Sequence, residues 1–121
     1  MKYLLMIVLL FSFSQARAEQ RQSFYSGNEL LEMCEAYLDG GTSTNIAKGN
    51  TCFGYVTGIS DTHTLFVSWE LMEQQWCKPE NMQGVQLVRI ATKYLQENPQ
   101  ALHLTADSLV ATALILAFPC E

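Results

Sequence analysis

The sequence predicts an all-α fold, a small bundle of about four helices braced by disulfides. Apolar residues recur at helical spacing in four stretches that short polar breaks separate. Four cysteines occur in a chain of 121 residues that begins like an exported protein. Together these two observations favour a helical bundle held by two cystine bridges.

Residues 1–18 have the three parts of a signal peptide. Lys2 supplies the positive charge, residues 3–13 form an apolar run, and Ala16-Arg17-Ala18 is a small-x-small cleavage site. The apolar run is too short for a bilayer core, which needs about 20 helical residues. We therefore expect residues 19–121 to form one domain in the periplasm, with no membrane attachment after cleavage.

The charge balance of the chain is acidic. It holds twelve Asp and Glu against seven Lys and Arg, and the signal would remove two of the basic residues. This balance argues against nucleic acid as a partner. It suits an encounter with a basic protein, although acidity also serves solubility alone.

The first helix is predicted over residues 28–39. Its apolar residues share one face, namely Leu30, Leu31, Met33, Cys34, Tyr37 and Leu38. Its acids share the other face, which is either ordinary solvated surface or a binding face: Glu29, Glu32, Glu35 and Asp39. Ser26 and Glu29 have the spacing of a capping box, and Gly40-Gly41 ends the helix.

The second helix is predicted over residues 47–72. One stripe at helical spacing holds Cys52, Val56, Ile59, His63, Phe66 and Val67. The β-branched and aromatic residues of this stretch would also suit a strand, but strict alternation fails across residues 56–59. Gly54 and Gly58, four residues apart, could admit a neighbouring helix closely.

Two further helices are predicted over residues 83–96 and from Thr105, as N-cap, to residue 118. The third buries one face and stops before a proline. That face is Leu87, Val88, Ala91, Tyr94 and Leu95. The last ten residues of the fourth are apolar except for Thr112. A helix that is apolar all round has to be covered, either by the other three helices or by a second subunit.

The helix positions predict the cystine pairing. Along a continuous second helix, Cys52 and Cys77 stand about 35 Å apart, whereas a bridge requires Cα atoms within about 7 Å. Cys34 and Cys52 lie at equal sequence distance from the turn between the first two helices, and Cys77 and Cys120 share one end of an up-down bundle. We therefore predict the bridges Cys34–Cys52 and Cys77–Cys120.

No catalytic residue, cofactor site or metal site is predicted. The cysteines have neither redox spacing nor zinc-finger spacing to His63 or His103. His63 lies on the apolar stripe, where a hydrogen-bonded core histidine is favoured over a catalytic one. Glu70 and Glu73 would need a cleft for acid–base chemistry, whereas their place at a helix end predicts exposure. We therefore do not expect an enzyme.

The stretch over residues 70–82 is the predicted recognition element. It contains an aromatic residue, Cys77 tethers it, and Pro79 stiffens it. Its candidate binding residues are Glu70, Glu73, Gln74, Gln75, Trp76 and Lys78. The alternative interpretation is that Trp76 merely fills the end of the bundle.

Several ordered motifs resemble the Rap/Tai-type family of periplasmic immunity proteins. Those of the first half are Gly27-Asn28-Glu29-Leu30-Leu31-x-x-Cys34 and Cys52-Phe53-Gly54-Tyr55-Val56-x-Gly58. Those of the second half are Cys77-x-Pro79, Gln86-Leu87-Val88, Tyr94-Leu95-x-x-Asn98-Pro99, Leu102-His103 and Ala117-Phe118-Pro119-Cys120. The resemblance therefore covers nearly the whole chain after the signal.

This resemblance implies a small helical protein, commonly a homodimer, that neutralises a peptidoglycan amidase effector of a type VI secretion system. It also implies that a protruding loop blocks the effector's cleft, and chain order places that loop at residues 70–78. Replacing Trp76 and Glu73 with alanine is then expected to weaken inhibition without lowering thermal stability. The alternative function, from another class, is a periplasmic acid or stress chaperone of the small disulfide-linked helical type.

Overall fold

The structure, a computed structural model, describes residues 23–40 and 42–121 and contains four α-helices. In chain order these are α1 (Gly27–Asp39), α2 (Ser43–Ser68), α3 (Gly84–Glu97) and α4 (Ala106–Ala117), with a 3₁₀ turn at Pro99–Ala101. Within those two ranges the β-type pairing is limited to one isolated bridge, from residue 26 to residue 105. The predicted all-α class is confirmed. The predicted signal peptide, residues 1–18, lies outside the described residues.

α1 begins at the predicted capping box. The Ser26 hydroxyl accepts a hydrogen bond from the Glu29 N–H at 3.3 Å, and the Glu29 carboxylate accepts one from the Ser26 N–H at 2.8 Å. That backbone bond lowers the pKa of Glu29. Leu38, predicted on the buried face, is instead 41% exposed; it lies in the last turn of the helix.

The first disulfide closes an antiparallel hairpin of α1 and α2. Cys34 and Cys52 are fully buried and their Cα atoms are 5.0 Å apart, as predicted. Nearer the turn, a Cβ added to Gly49 would lie 2.7 Å from the Cα of Tyr37. The two backbones therefore touch at this point, and a larger residue at position 49 would push them apart.

α2 is twice as long as α1 and extends beyond it. The two helices have 26 and 13 residues, or about 39 and 20 Å at the helical rise. The disulfide and the Gly49 contact fix the register, which places the first residue of α1 level with Ile59. The last turns of α2 therefore have no part of α1 beside them.

The bounds of α2 differ from the prediction at both ends. The helix starts earlier, at Ser43, because the Thr42 hydroxyl accepts a bond from the Asn45 N–H at 3.4 Å and caps it. It ends at Ser68 rather than at residue 72, because the backbone of Glu70 is left-handed with φ 56°.

The predicted apolar stripe of α2 is correct only where another element covers it. Val56 is fully buried and His63 is 6% exposed, but Phe66 is 39% exposed. Phe66 lies on the part of α2 that extends past α1, so helical spacing alone did not determine its burial. Ser60, absent from the predicted stripe, is 1% exposed.

α3 and α4 complete the core. Leu87, Val88, Ala91 and Leu95 are buried as predicted, and Thr92 is buried with them because its hydroxyl donates to the Val88 carbonyl at 2.7 Å. The other helices cover only one face of α4. Leu114 is fully buried there, whereas the next two residues in the chain, both apolar, are 40% and 67% exposed.

The second disulfide joins the chain before α3 to the chain after α4. The Cα atoms of Cys77 and Cys120 are 5.0 Å apart, and the Cys77 N–H donates to the Phe118 carbonyl at 2.8 Å. The second predicted bridge is therefore also present, and none of the four cysteines is free. Both cysteines of this bridge are exposed, unlike those of the first.

Across the part of the chain that the structure describes, no helix has both the length and the apolar character that a membrane crossing requires.

Candidate functional site

The α2–α3 segment, residues 69–83, contains the predicted recognition element. It includes no helix or strand, and two of its residues have left-handed backbones, Glu70 at φ 56° and Asn81 at φ 61°. Non-glycine residues adopt this conformation at a cost of about 1–2 kcal/mol each, so the surrounding contacts must hold them there. The segment has two parts: the tip (residues 69–73), which is exposed throughout, and the stem (residues 74–78), which contains the buried Trp76.

The tip is apolar and exposed. Trp69 is 62% exposed and Leu71 is 66% exposed, and three further large apolar residues nearby are 37–41% exposed. Together they form what we call the tip patch: Leu65, Phe66, Trp69, Leu71 and Met72. Single exposed apolar residues are normal on a protein surface, but several adjacent ones mark an interaction surface. The tip patch lies where α2 extends beyond α1.

The stem is held against α2 by His63. The ring of Trp76, which is 5% exposed, stacks on the His63 ring with centroids 3.7 Å apart and planes 19° apart. The Gln75 N–H donates a hydrogen bond to His63 Nε2 at 3.0 Å. This bond requires an unprotonated Nε2, so the ring is neutral with its proton on Nδ1. His63 is therefore a hydrogen-bonded core histidine, the favoured interpretation of the sequence.

The burial of His63 affects the pKa of its ring. Desolvation disfavours the imidazolium ion and lowers the pKa of His63 below its usual value. Next to the ring, a cavity of about 350 Å³ opens between α2 and the stem. Its charged lining residues are Lys78 and Glu80, which have opposite signs.

The polar groups around His63 are engaged in internal hydrogen bonds. Its Nε2 is occupied by a backbone N–H, and the nearby Ser68 hydroxyl donates to the Leu65 carbonyl at 2.7 Å. No group of three His, Cys, Asp or Glu side chains suited to a metal ion occurs in the described ranges. What this region offers is a shaped surface for binding.

The six predicted binding residues fall on both parts of the segment. Glu70, Glu73, Gln74 and Gln75 are exposed, Lys78 is partly buried, and Trp76 is buried. The burial of Trp76 agrees with the alternative that it fills the end of the bundle. It contradicts the expectation that replacing Trp76 would leave thermal stability unchanged.

The sequence analysis missed the aromatic residue that is exposed, Trp69. The second helix was predicted to continue to residue 72, so Trp69 counted as a helical residue. Leu71 lay inside the predicted recognition element, residues 70–82, but was not among its candidate binding residues. One signal could have identified them. The second predicted helix was about twice as long as the first, so its final turns could not all be covered by that partner.

The comparisons with known proteins agree with this architecture. The profile of the Rap1a immunity proteins matches residues 26–120, from the N-cap of α1 to the last cysteine. No curated protein matches the chain. Because the family match includes all four helices and both disulfides, the chain belongs to the Rap1a immunity protein family.

Proposed function

We propose that this protein is a periplasmic immunity protein that binds a cognate peptidoglycan amidase effector of a type VI secretion system and blocks its active site sterically. Family membership and the signal-like residues 1–18 support this proposal. The structural observation that supports it most directly is the tip patch, an apolar surface on a protruding, braced segment. Inhibition of this kind needs neither a catalytic residue nor a cofactor.

The braces of the segment favour tight binding. The stem is fixed by the Cys77–Cys120 bridge, by the Cys77 bond to Phe118 and by the contacts with His63. A segment that is already ordered loses less conformational entropy on binding than a flexible loop does. The stem would therefore present the tip in a fixed shape to a cleft.

The residue types in the tip suggest which of them would make apolar contacts with the effector and which would make charged ones. Trp69 and Leu71 are the apolar anchors, since buried aromatic and aliphatic side chains dominate most interfaces. Glu70 and Glu73 lie beside them and would interact with basic groups at the rim of the cleft. A standard interface buries about 800 Å² on each partner, so the neighbouring surface of α2 would contribute as well.

Alanine variants of the tip patch test this proposal. Trp69→Ala should weaken amidase binding at least tenfold, and Leu65→Ala about fivefold, because each removes apolar contact at the interface. The matched control is Leu38→Ala. Leu38 and Leu65 are both 41% exposed, but Leu38 lies at the other end of the hairpin.

Calorimetry with the purified amidase, together with peptidoglycan hydrolysis assays, measures both effects. If Trp69→Ala binds as well as the wild type, or if Leu38→Ala loses as much affinity as Leu65→Ala, the tip patch is not the contact surface. The same variants expressed in a host exposed to the amidase should rank protection in the same order.

We also propose that the protein acts as a homodimer. The resemblance to the immunity family supports this state, and so does the exposed apolar face of α4, where Leu116 is 67% exposed. In sedimentation analysis, Leu116→Asp should then shift the protein from dimer to monomer, because a charge in an apolar interface is costly. A monomeric wild type at micromolar concentration would contradict this proposal.

A further inference from the structure

In the part of the chain that the structure describes, His63 is the one helix side chain that holds the middle of the α2–α3 segment by a hydrogen bond. At the start of the tip, the Glu70 and Leu71 N–H groups bond to the last turn of α2. At the end of the stem, Cys77 is bonded to the chain after α4. Between these points, among the described residues, the Gln75 bond to His63 is the only hydrogen bond from the segment to another element.

The remaining hydrogen bonds of this stretch are internal. The Gln74 side chain donates to the Trp76 carbonyl at 3.3 Å, and the Gln75 side chain donates to the Glu73 carbonyl at 2.9 Å. These bonds shape the segment but do not attach it to the bundle. Between the tip and Cys77, the segment is therefore attached by the burial of Trp76 in the core and by the His63 ring, which accepts from Gln75 and stacks on Trp76.

We propose that His63 is a positioning residue for the tip, an inference that rests on the proposed function. Protonation of His63 releases the Gln75 bond, loosens the tip and so weakens partner binding in acid. Once Nε2 carries a proton, two donors face each other, and the Gln75 N–H loses its acceptor in a partly buried place. The disulfide is insensitive to this change and Trp76 is buried in the core, so the segment stays attached at residues 76 and 77 while residues 71–75 become free to move.

The charged surroundings do not alter this outcome. Two titratable groups of the segment line the cavity beside His63, namely Lys78 and Glu80. Their charges have opposite signs, so their effects on the His63 ring oppose each other. The lining residues from α2, Thr64, Val67 and Ser68, have no charge. The Trp76 ring attracts an imidazolium ion by a cation–π interaction, which would keep the ring stacked. Stacking cannot restore the bond to Gln75, because that bond needs the lone pair on Nε2.

The test begins without any partner. NMR follows the His63 ring and the Gln75 amide of the wild type from pH 7.5 to 4.5. The Gln75 amide shift should change with the same midpoint as the His63 ring, and the exchange protection of the Gln75 amide should fall about tenfold or more beyond the intrinsic pH effect. If the His63 ring titrates without a change at Gln75, or does not titrate in this range, the inference is overturned.

Two variants provide the controls. His63→Gln offers a side-chain oxygen that can accept from Gln75 and does not titrate, so its Gln75 amide should stay constant with pH. His103→Gln removes the other histidine, which is exposed and lies after α3, and should behave as the wild type does. The wild-type titration alone decides the question if His63→Gln fails to fold.

Binding measurements separate the two proposals. The wild-type affinity for the amidase should fall at least tenfold more than that of His63→Gln between pH 7.5 and 5. Equal falls in both proteins would remove His63 from the binding mechanism. Suppose that the amidase binds at no pH, but the Gln75 amide shift still changes with the midpoint of the His63 ring. The proposed function is then wrong, whereas the pH-dependent contact between His63 and Gln75 is confirmed.

Discussion

The two tryptophans of the α2–α3 segment have opposite environments although they are seven residues apart. Trp69 in the tip is 62% exposed, whereas Trp76 in the stem is 5% exposed and stacked on His63. The covalent brace explains the difference, since Cys77 draws its neighbour onto the bundle while α2 carries Trp69 past the end of α1. In this segment, the residue next to the bridged Cys77 is the anchored tryptophan, and the one without such a neighbour is exposed.

This contrast assigns different physical roles to the two parts. Trp76 and its histidine partner supply packing, so changes there should alter folding free energy. Trp69 makes no comparable internal contact, so changes there should alter association with a partner and leave the fold intact.

The largest expected effect is the loss of stability in Trp76→Ala. Removing a buried tryptophan leaves a cavity and costs about 3–5 kcal/mol of unfolding free energy. Trp69→Ala should change that free energy by no more than about 0.5 kcal/mol, because surface substitutions have small effects. Urea unfolding of both variants, followed by far-UV circular dichroism, measures the difference. Similar losses in the two variants would break the distinction between tip and stem.

Local sequence features predicted the elements that depend on near neighbours. The capping box at Ser26 and Glu29 and the apolar face of α3 follow from spacing alone, and the two bridges follow from the antiparallel order of the helices. These features depend on distances that helical geometry fixes.

The tip could not be predicted in the same way, because it depends on tertiary contacts. The left-handed backbone of Glu70 ends α2 early, and nothing in its residue type requires that conformation. The exposure of Phe66 depends on where α1 begins beside α2. The contact between His63 and Trp76 joins residues on either side of the tip, so it required the path of the segment to be known.

An intermediate effect is expected in the pH dependence of stability. Unfolded histidine titrates near pH 6.5, and burial lowers the pKa of His63 in the folded protein. As the pH falls below about 6.5, the unfolded chain takes up a proton before the folded chain does, so unfolding free energy decreases. The decrease ends once the pH lies below the folded pKa. It amounts to about 1.4 kcal/mol for each pH unit that separates the folded and unfolded pKa values of His63.

Urea unfolding of the wild type and of His63→Gln at pH 7.5 and 5 measures this contribution. Other groups also titrate over this range, so the informative quantity is the difference between the two proteins. The wild type should lose more stability than His63→Gln, and His103→Gln should match the wild type. An equal loss in all three would mean that the stem does not sense protons through His63.

The smallest expected effect concerns the charge at the tip. Glu73→Gln should slow amidase association about threefold at low salt and leave dissociation nearly unchanged, because rim charges act mainly through long-range attraction. Asp39→Asn removes one charge at the far end of α1 and is the matched control. Stopped-flow measurements should find the Glu73 effect gone near 1 M salt, where the screening length is about 3 Å. If Asp39→Asn slows association equally, the overall acidity of the chain guides the encounter, and the acids beside Trp69 have no special part in it.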